Sequence, residues 1–221
     1  NLGEIWHFFE EELRYPIDLI EASEISTVAL ESYNVIVLTE GYYSIGESTM
    51  EKINDWVSAG GRLVAIGSAI NKLSGKDGFE IESKGTPEPD TSEKEPPVHH
   101  PEPYAGSDRR SMSDDIPGSI FQTTLDTTHP LCFGLGETYW TLKSTTSNYQ
   151  WLEEGGNAIY LDDSPRYYGF VGYRALEKTK NTLIAGQEQI GGGSVVYFVD
   201  NPMFRSFWNS GKVLFSNALF F

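Results

Sequence analysis

The sequence predicts an α/β protein with a mainly parallel sheet, helices on both faces and antiparallel strands added late in the chain. Three observations carry this. "VIVL", within residues 33–41, and "RLVAIG", at 62–67, are short continuous apolar runs, the pattern of strands buried on both faces. Between them "SIGESTMEKINDWVSAGG" has apolar residues at helical spacing. Late in the chain, "GQEQIGGGSVVYF" reads as two strands joined by a glycine turn.

The elements follow in order. "LGEIWHFFEEELRY" predicts a helix burying Leu2, Ile5, Trp6, Phe9 and Leu13 on one face. "PIDLI" predicts a short strand, and "YNVIVLTEG" a buried one. In the next helix, Ser48 and Glu51 fit a capping box, Met50, Ile53 and Val57 form the buried stripe, and Gly60-Gly61 ends it. Residues 74–118 break the alternation. Their "TPEPDTSEKEPPVHHPEP" is acidic and proline-rich, which predicts an extended, solvated insertion. Beyond it "NAIYL", "YYGFVGYRA", "NTLIAGQEQ" and "GSVVYFVD" predict strands. The C-terminal stretch places Phe204, Phe207, Trp208, Leu214, Phe215 and Leu219 in a final core helix.

The 221 residues suffice for one large α/β domain, and residues 1–221 are read as one. The chain begins at Asn1 directly in a helical pattern, so it reads as a domain cut from a longer protein whose first strand lies upstream. Sixteen Lys and Arg face 32 Asp and Glu, a net charge of −16 that repels nucleic acid and anionic lipid. One cysteine, Cys132, excludes an internal disulfide and a Cys-x-x-Cys metal knuckle. No apolar run reaches the roughly 18 residues of a membrane span.

In parallel sheets, sites form at the carboxyl ends of strands. Glu40-Gly41 and Gly67-Ser68 both stand there. A serine on a strand-to-helix turn has the shape of a nucleophile elbow, but it needs a base, normally histidine. The four histidines are His7, on the first helix, His99 and His100, in the insertion, and His129, in a Thr-His-Pro turn. None follows a late strand, so Ser68 reads first as a structural turn residue, then as a ligand contact, and last as a nucleophile. His129 and Cys132, three residues apart across a proline, are poorly placed to act as a pair. "HHPE" at 99–102 is a weak metal motif. The Tyr and Trp residues of "GETYWTLKSTTSNYQWL" fit either ordinary strand packing or an aromatic platform for a ligand such as a sugar. There is no phosphate loop and no dinucleotide fingerprint.

"GEIWHFFEEELRYPIDLI", "DWVSAGGRLVAIGSA", "IPGSIFQTTLDTTHPLCFGLGETYW" and "GGGSVVYFVDNPMFRSFWNSGKVLFSNALFF" resemble the C-terminal domain of large bacterial zinc carboxypeptidases of the M14 type. That domain is similar to class I glutamine amidotransferases. The resemblance implies a flavodoxin-like sheet with added antiparallel strands. It also implies that the amidotransferase elbow falls on Gly67-Ser68-Ala69, with the nucleophilic cysteine replaced and the second glycine missing. The oxyanion loop falls on Glu40-Gly41-Tyr42, and the His-Pro-Glu of the base on Asn201-Pro202-Met203. Asparagine is no general base at neutral pH, and methionine cannot orient one. The expected role is therefore a non-catalytic accessory domain of a secreted, periplasmic or surface peptidase. It would pack on the upstream peptidase domain of the same chain, position substrate or aid assembly. Zinc is expected only in that upstream domain, with no cofactor here, no nucleic acid and no membrane insertion. The alternatives are a sugar- or peptide-binding module using a pocket at Glu40, Gly41, Tyr42, Gly67, Ser68 and Asn201, or a Ser68 hydrolase.

Overall fold

A computed structural model describes residues 2–85 and 105–221; Asn1 and residues 86–104, with His99, His100 and Glu102, lie outside the described residues. Eight strands form one mixed sheet: β1 (Val35–Leu38), β2 (Arg62–Ile66), β3 (Ser119–Leu125), β4 (Tyr139–Lys143), β5 (Gly156–Leu161), β6 (Tyr167–Gly169), β7 (Thr182–Ile190) and β8 (Gly193–Phe198). Their order is β1-β2-β8-β7-β5-β3-β4, with β6 beside β3. Only β1–β2 and β2–β8 pair in parallel among the described residues; the other pairings are antiparallel. The α/β, flavodoxin-like architecture is present, with a larger antiparallel share than the apolar runs suggested.

Helices cover both faces of the parallel part: α1 (Leu2–His7), α2 (Glu47–Ser58) and α5 (Asn209–Phe220), while α3 (Ser107–Ser113) and α4 (Tyr173–Thr179) belong to the stretch between β2 and β7. The pleat of β2 sorts the core. Val64 and Ile66 join Phe8, Phe9, Val196, Phe198 and Phe215 on one face, and Leu63 and Ala65 join Ile53, Val57, Ile70, Val195 and Tyr197 on the other. The start of β8 lies hard against the end of α2. A Cβ on Gly193 would sit 2.1 Å from the Val57 carbonyl oxygen and 2.2 Å from that of Gly61.

Several elements differ from the sequence expectation for identifiable reasons. The first helix turns into a π-helix at Phe8–Leu13, which breaks the 3.6-residue spacing. Phe8 and Phe9 are thus both buried, while Leu2, Trp6 and Leu13 are exposed. "PIDLI" is no strand: Pro16 has no N–H to donate, and no described strand pairs with this segment. The capping box at Ser48 and Glu51 does not form, because α2 is N-capped by Gly46 without a side-chain bond and Ser48 lies inside its first turn. Within the span 74–118, Phe79, Ile81 and Ile116 are buried, Ser83 bridges to Tyr149, and α3 forms. "YYGFVGYRA" is split between the three residues of β6 and α4, which begins after Gly172. Phe204, Phe207 and Trp208 precede α5 rather than belonging to it.

One buried acid makes the fold pH-sensitive. Glu188 on β7 is 4% exposed. It accepts from the Tyr197 hydroxyl and, at 2.8 Å, from the Glu80 backbone N–H. Burial pushes its pKa up, opposed by those hydrogen bonds. The folded state then holds a proton that the unfolded chain has released. Glu188 contributes full stability below the ordinary glutamate value and loses it as pH rises through the raised one. Urea unfolding across that window should show Glu188→Gln gaining stability over the parent chain as pH rises. A difference independent of pH would sink this reading.

Candidate functional site

The carboxyl ends of the three parallel strands converge on one place. Glu40 and Gly41 follow β1, Gly67 and Ser68 follow β2, and Asp200 and Asn201 follow β8. The parallel register puts all three exits at the same sheet edge. Here lies a cavity of about 220 Å³, lined by Glu40, Leu142, Ser144, Thr145, Val199, Asp200, Asn201 and Phe204.

The turn after β2 has the strand-turn-helix outline expected of an elbow. β2 ends at Ile66, Gly67 adopts φ +55°, and a 3-10 helix runs from Gly67 to Lys72. That left-handed turn suits glycine, and a Cβ there would meet the Glu40 carboxylate at 1.9 Å. The Ser68 hydroxyl accepts from the Gly41 backbone N–H at 3.4 Å, a long bond. So the strand-end loop that would hold an oxyanion is tied to the serine that would attack. Tyr42 is fully exposed, whereas Tyr43 folds back to donate to the Thr39 carbonyl at 2.8 Å, with the Lys72 ammonium 4.3 Å from its ring centre.

Among the described residues no imidazole lines the cavity. His7 is exposed near Glu12, and His129 lies at the opposite end of the sheet, beside Gln187 and Gln189. His129 Nδ1 accepts from the Leu131 backbone N–H at 3.2 Å, and burial pushes its pKa down. Cys132 is buried with its thiol pushed up to about 11 by burial, so it is an inert core thiol. Asn201, which the resemblance sets at the position of a base, follows β8 and has its amide committed on both sides. It donates to Glu4 Oε2 at 2.6 Å and accepts from the Met203 N–H at 2.9 Å. Glu4 also accepts from the Arg205 N–H at 2.8 Å. Arg205 and Ser206 both have positive φ, 49° and 55°, so this turn is conformationally costly and held by its contacts.

The polar wall of the cavity escaped the sequence reading. Asp200 accepts from the Thr141 hydroxyl at 2.9 Å, and its other oxygen lies 3.5 Å from the Lys143 ammonium. Lys143 also donates to the Ser147 carbonyl at 2.8 Å. The side chains of Lys143 and Asp200 are 0% and 3% exposed. Glu40 faces them without an ion-pair partner among the described side chains. Burial pushes its pKa up most; the positive charge of the amino terminus opposes, the Glu4 and Asp200 carboxylates add to the rise, and a backbone bond from Ser68 opposes it. The signal in the sequence was Asp200, an acid directly ending the apolar run "VVYFV"; its partner on a different strand was not foreseeable. No group of three or more His, Cys, Asp or Glu is placed to hold a metal among the described residues.

No protein-family model matches the sequence, and no curated protein is significantly similar to it. Solved structures are similar in fold. A GMP synthase-like protein from Thermoplasma acidophilum superposes with a TM-score of 0.58 at 10% identity, covering 99% of this chain and 86% of that one. A ThuA-like protein from Bacteroides uniformis gives 0.52 at 12% identity, covering 99% and 81%. A β-galactosidase from Bacillus circulans sp. alkalophilus gives 0.53 at 13% identity, covering 98% of this chain but only 26% of that one. At these identities the likeness is one of fold, and the fold is that of the class I glutamine amidotransferases.

Proposed function

We propose that this chain is a non-catalytic, amidotransferase-like domain that serves a larger protein by packing, substrate positioning or assembly. The observation that supports this is the state of the elbow. Ser68 is bonded to the loop it would need free, and the position of the base is held by an asparagine locked between Glu4 and Met203. No imidazole among the described residues lines this cavity, and a serine that no histidine activates is a poor nucleophile. The parent we propose, on the sequence resemblance alone, is an exported zinc carboxypeptidase of the M14 type, with zinc and peptide hydrolysis in an upstream domain.

A phosphonate probe for active serines should leave the chain unlabelled. Ser68→Ala should change unfolding free energy by less than about 1 kcal/mol, as expected for one long, partly exposed hydrogen bond. Deleting residues 1–221 from the parent should lower its solubility or its peptidase activity. Stoichiometric labelling of Ser68 would overturn the non-catalytic reading, and a parent indifferent to the deletion would overturn the accessory role.

A second reading has its own support: the cavity beside the elbow, with a committed aspartate on one wall and, on the other, a glutamate lacking an ion-pair partner among the described side chains. In this reading the domain binds a small ligand there without turning it over.

A further inference from the structure

The cavity does not end at Ser144. Along β4, Tyr139, Thr141 and Lys143 are buried, and the alternate residues Trp140, Leu142 and Ser144 face outward. Leu142 and Ser144 line the cavity, so the outer face of β4 runs straight into it. On the neighbouring β3, Ile120 and Gln122 share that face, opposite Leu142 and Trp140. On β6, Tyr168 stands opposite Ile120. Trp140 and Tyr168 reach across β3 until their ring centres are 5.6 Å apart, inclined at 41°. The Arg166 guanidinium lies 5.4 Å from the Tyr168 ring centre and steadies that ring, and Phe204 closes the cavity end. Two half-open aromatic faces thus stand on the same face of the sheet as Leu142, which lines the polar cavity.

Resting on the ligand-pocket reading, we propose that this surface is a binding site for a neutral oligosaccharide, with one sugar in the cavity and the next stacked on Trp140 and Tyr168. The chemistry selects this ligand class. Sugar hydroxyls donate to carboxylates and hydroxyl oxygens, which the cavity supplies from Glu40, Asp200, Ser144 and Thr145. The C–H faces of a pyranose pack on aromatic rings, which supply apolar area without a charge. Anions are disfavoured by the net charge of −16 and by both carboxylates. A cation is less favoured than the two acids suggest, because Lys143 already neutralises Asp200. Burial, moreover, disfavours the charged form of Glu40. What remains is a ligand without charge, met by acceptors in the cavity and by the aromatic rings beside it.

The test uses the 221-residue chain and a panel of neutral β-linked gluco-, galacto-, manno- and xylo-oligosaccharides of two to six units. Thermal shift and calorimetry read binding. At least one oligosaccharide should raise the melting temperature, with chains of two or more units binding tighter than the monosaccharide. Trp140→Ala and Tyr168→Ala should each weaken binding by about tenfold, the loss of one stacked ring. Glu40→Gln, which leaves the Lys143–Asp200 pair intact, should weaken the monosaccharide as well. A control panel holds lysine- and arginine-containing dipeptides. If no oligosaccharide binds, or binding is indifferent to both aromatic substitutions, the inference is overturned. A dipeptide that binds in a Glu40-dependent way while no sugar does leaves the pocket reading standing. Binding by neither panel overturns both.

Discussion

Replacing Lys143 with methionine should cost this domain about 3–5 kcal/mol, the range for removing one partner of a buried ion pair. Its ammonium is fully enclosed, 3.5 Å from Asp200 and 2.8 Å from the Ser147 carbonyl. Methionine fills nearly the same volume, so packing changes little. What changes is that the Asp200 carboxyl is left in a place with 3% exposure and only the Thr141 hydroxyl to answer it. For a chain of this size the melting temperature should fall by about 10 °C. The double variant Lys143→Met, Asp200→Leu should recover most of the loss, since removing both charges removes the uncompensated one. Urea unfolding of the three proteins decides it. If the single variant is as stable as the parent chain, the ammonium is not enclosed as described. If the double variant is no better than the single, the loss is one of shape and not of charge.

Gly193→Ala should cost about 3 kcal/mol, at the upper end of what overpacking usually does. The added methyl would fall 2.1 Å and 2.2 Å from two carbonyl oxygens, Val57 at the end of α2 and Gly61 just before β2. Both neighbours are backbone, one in the last turn of α2 and one at the entry to β2, so neither yields as a side-chain tip would. The start of β8 must therefore shift, and with it the register against β2 and β7. Gly136→Ala is the control, because nothing lies within 4 Å of a Cβ there. Its unfolding free energy should stay within about 0.5 kcal/mol of the parent, as for a surface substitution. Equal effects at the two positions would mean that α2 and β8 do not abut.

The parallel half of the fold was legible because burial on both faces leaves a mark that needs no partner to read. "VIVL", "RLVAI" and "GSVVYF" became β1, β2 and β8, and Ile53 and Val57 are fully enclosed. The antiparallel half is less explicit. β3 and β4 carry alternating burial with Gln122, Thr123, Thr124, Thr141 and Lys143 mixed in, so neither stands out as an apolar run. The π-helical turn at Phe8–Leu13 has no sequence signature that periodicity can detect. Glu40 and Ser68 could be set at strand ends because the strands themselves were legible, and Asn201 was set there by the resemblance. Lys143 was hidden for a different reason. A buried lysine looks like a surface one until its acid, 57 residues away in the chain, is known to stand beside it. Tyr42 shows the converse: it follows a strand end directly, but the chain turns there and Tyr43 takes the inward place.

The central place of β8 sets the timetable of folding. β2 has β1 on one side, and its other edge is satisfied only by β8. Those residues leave the ribosome roughly 130 positions after β2 does. At ordinary translation speeds that is a wait on the order of 10 s, during which a strand as apolar as Leu63–Ile66 has an unfilled edge. Until β8 arrives, the early stretch lacks the neighbour that fills its edge, which leaves the nascent chain open to aggregation. Even a short deletion reaching into β8 from the C-terminal end would leave the first third of the chain without its neighbour, and such a truncation would accumulate as aggregate rather than as a smaller folded unit.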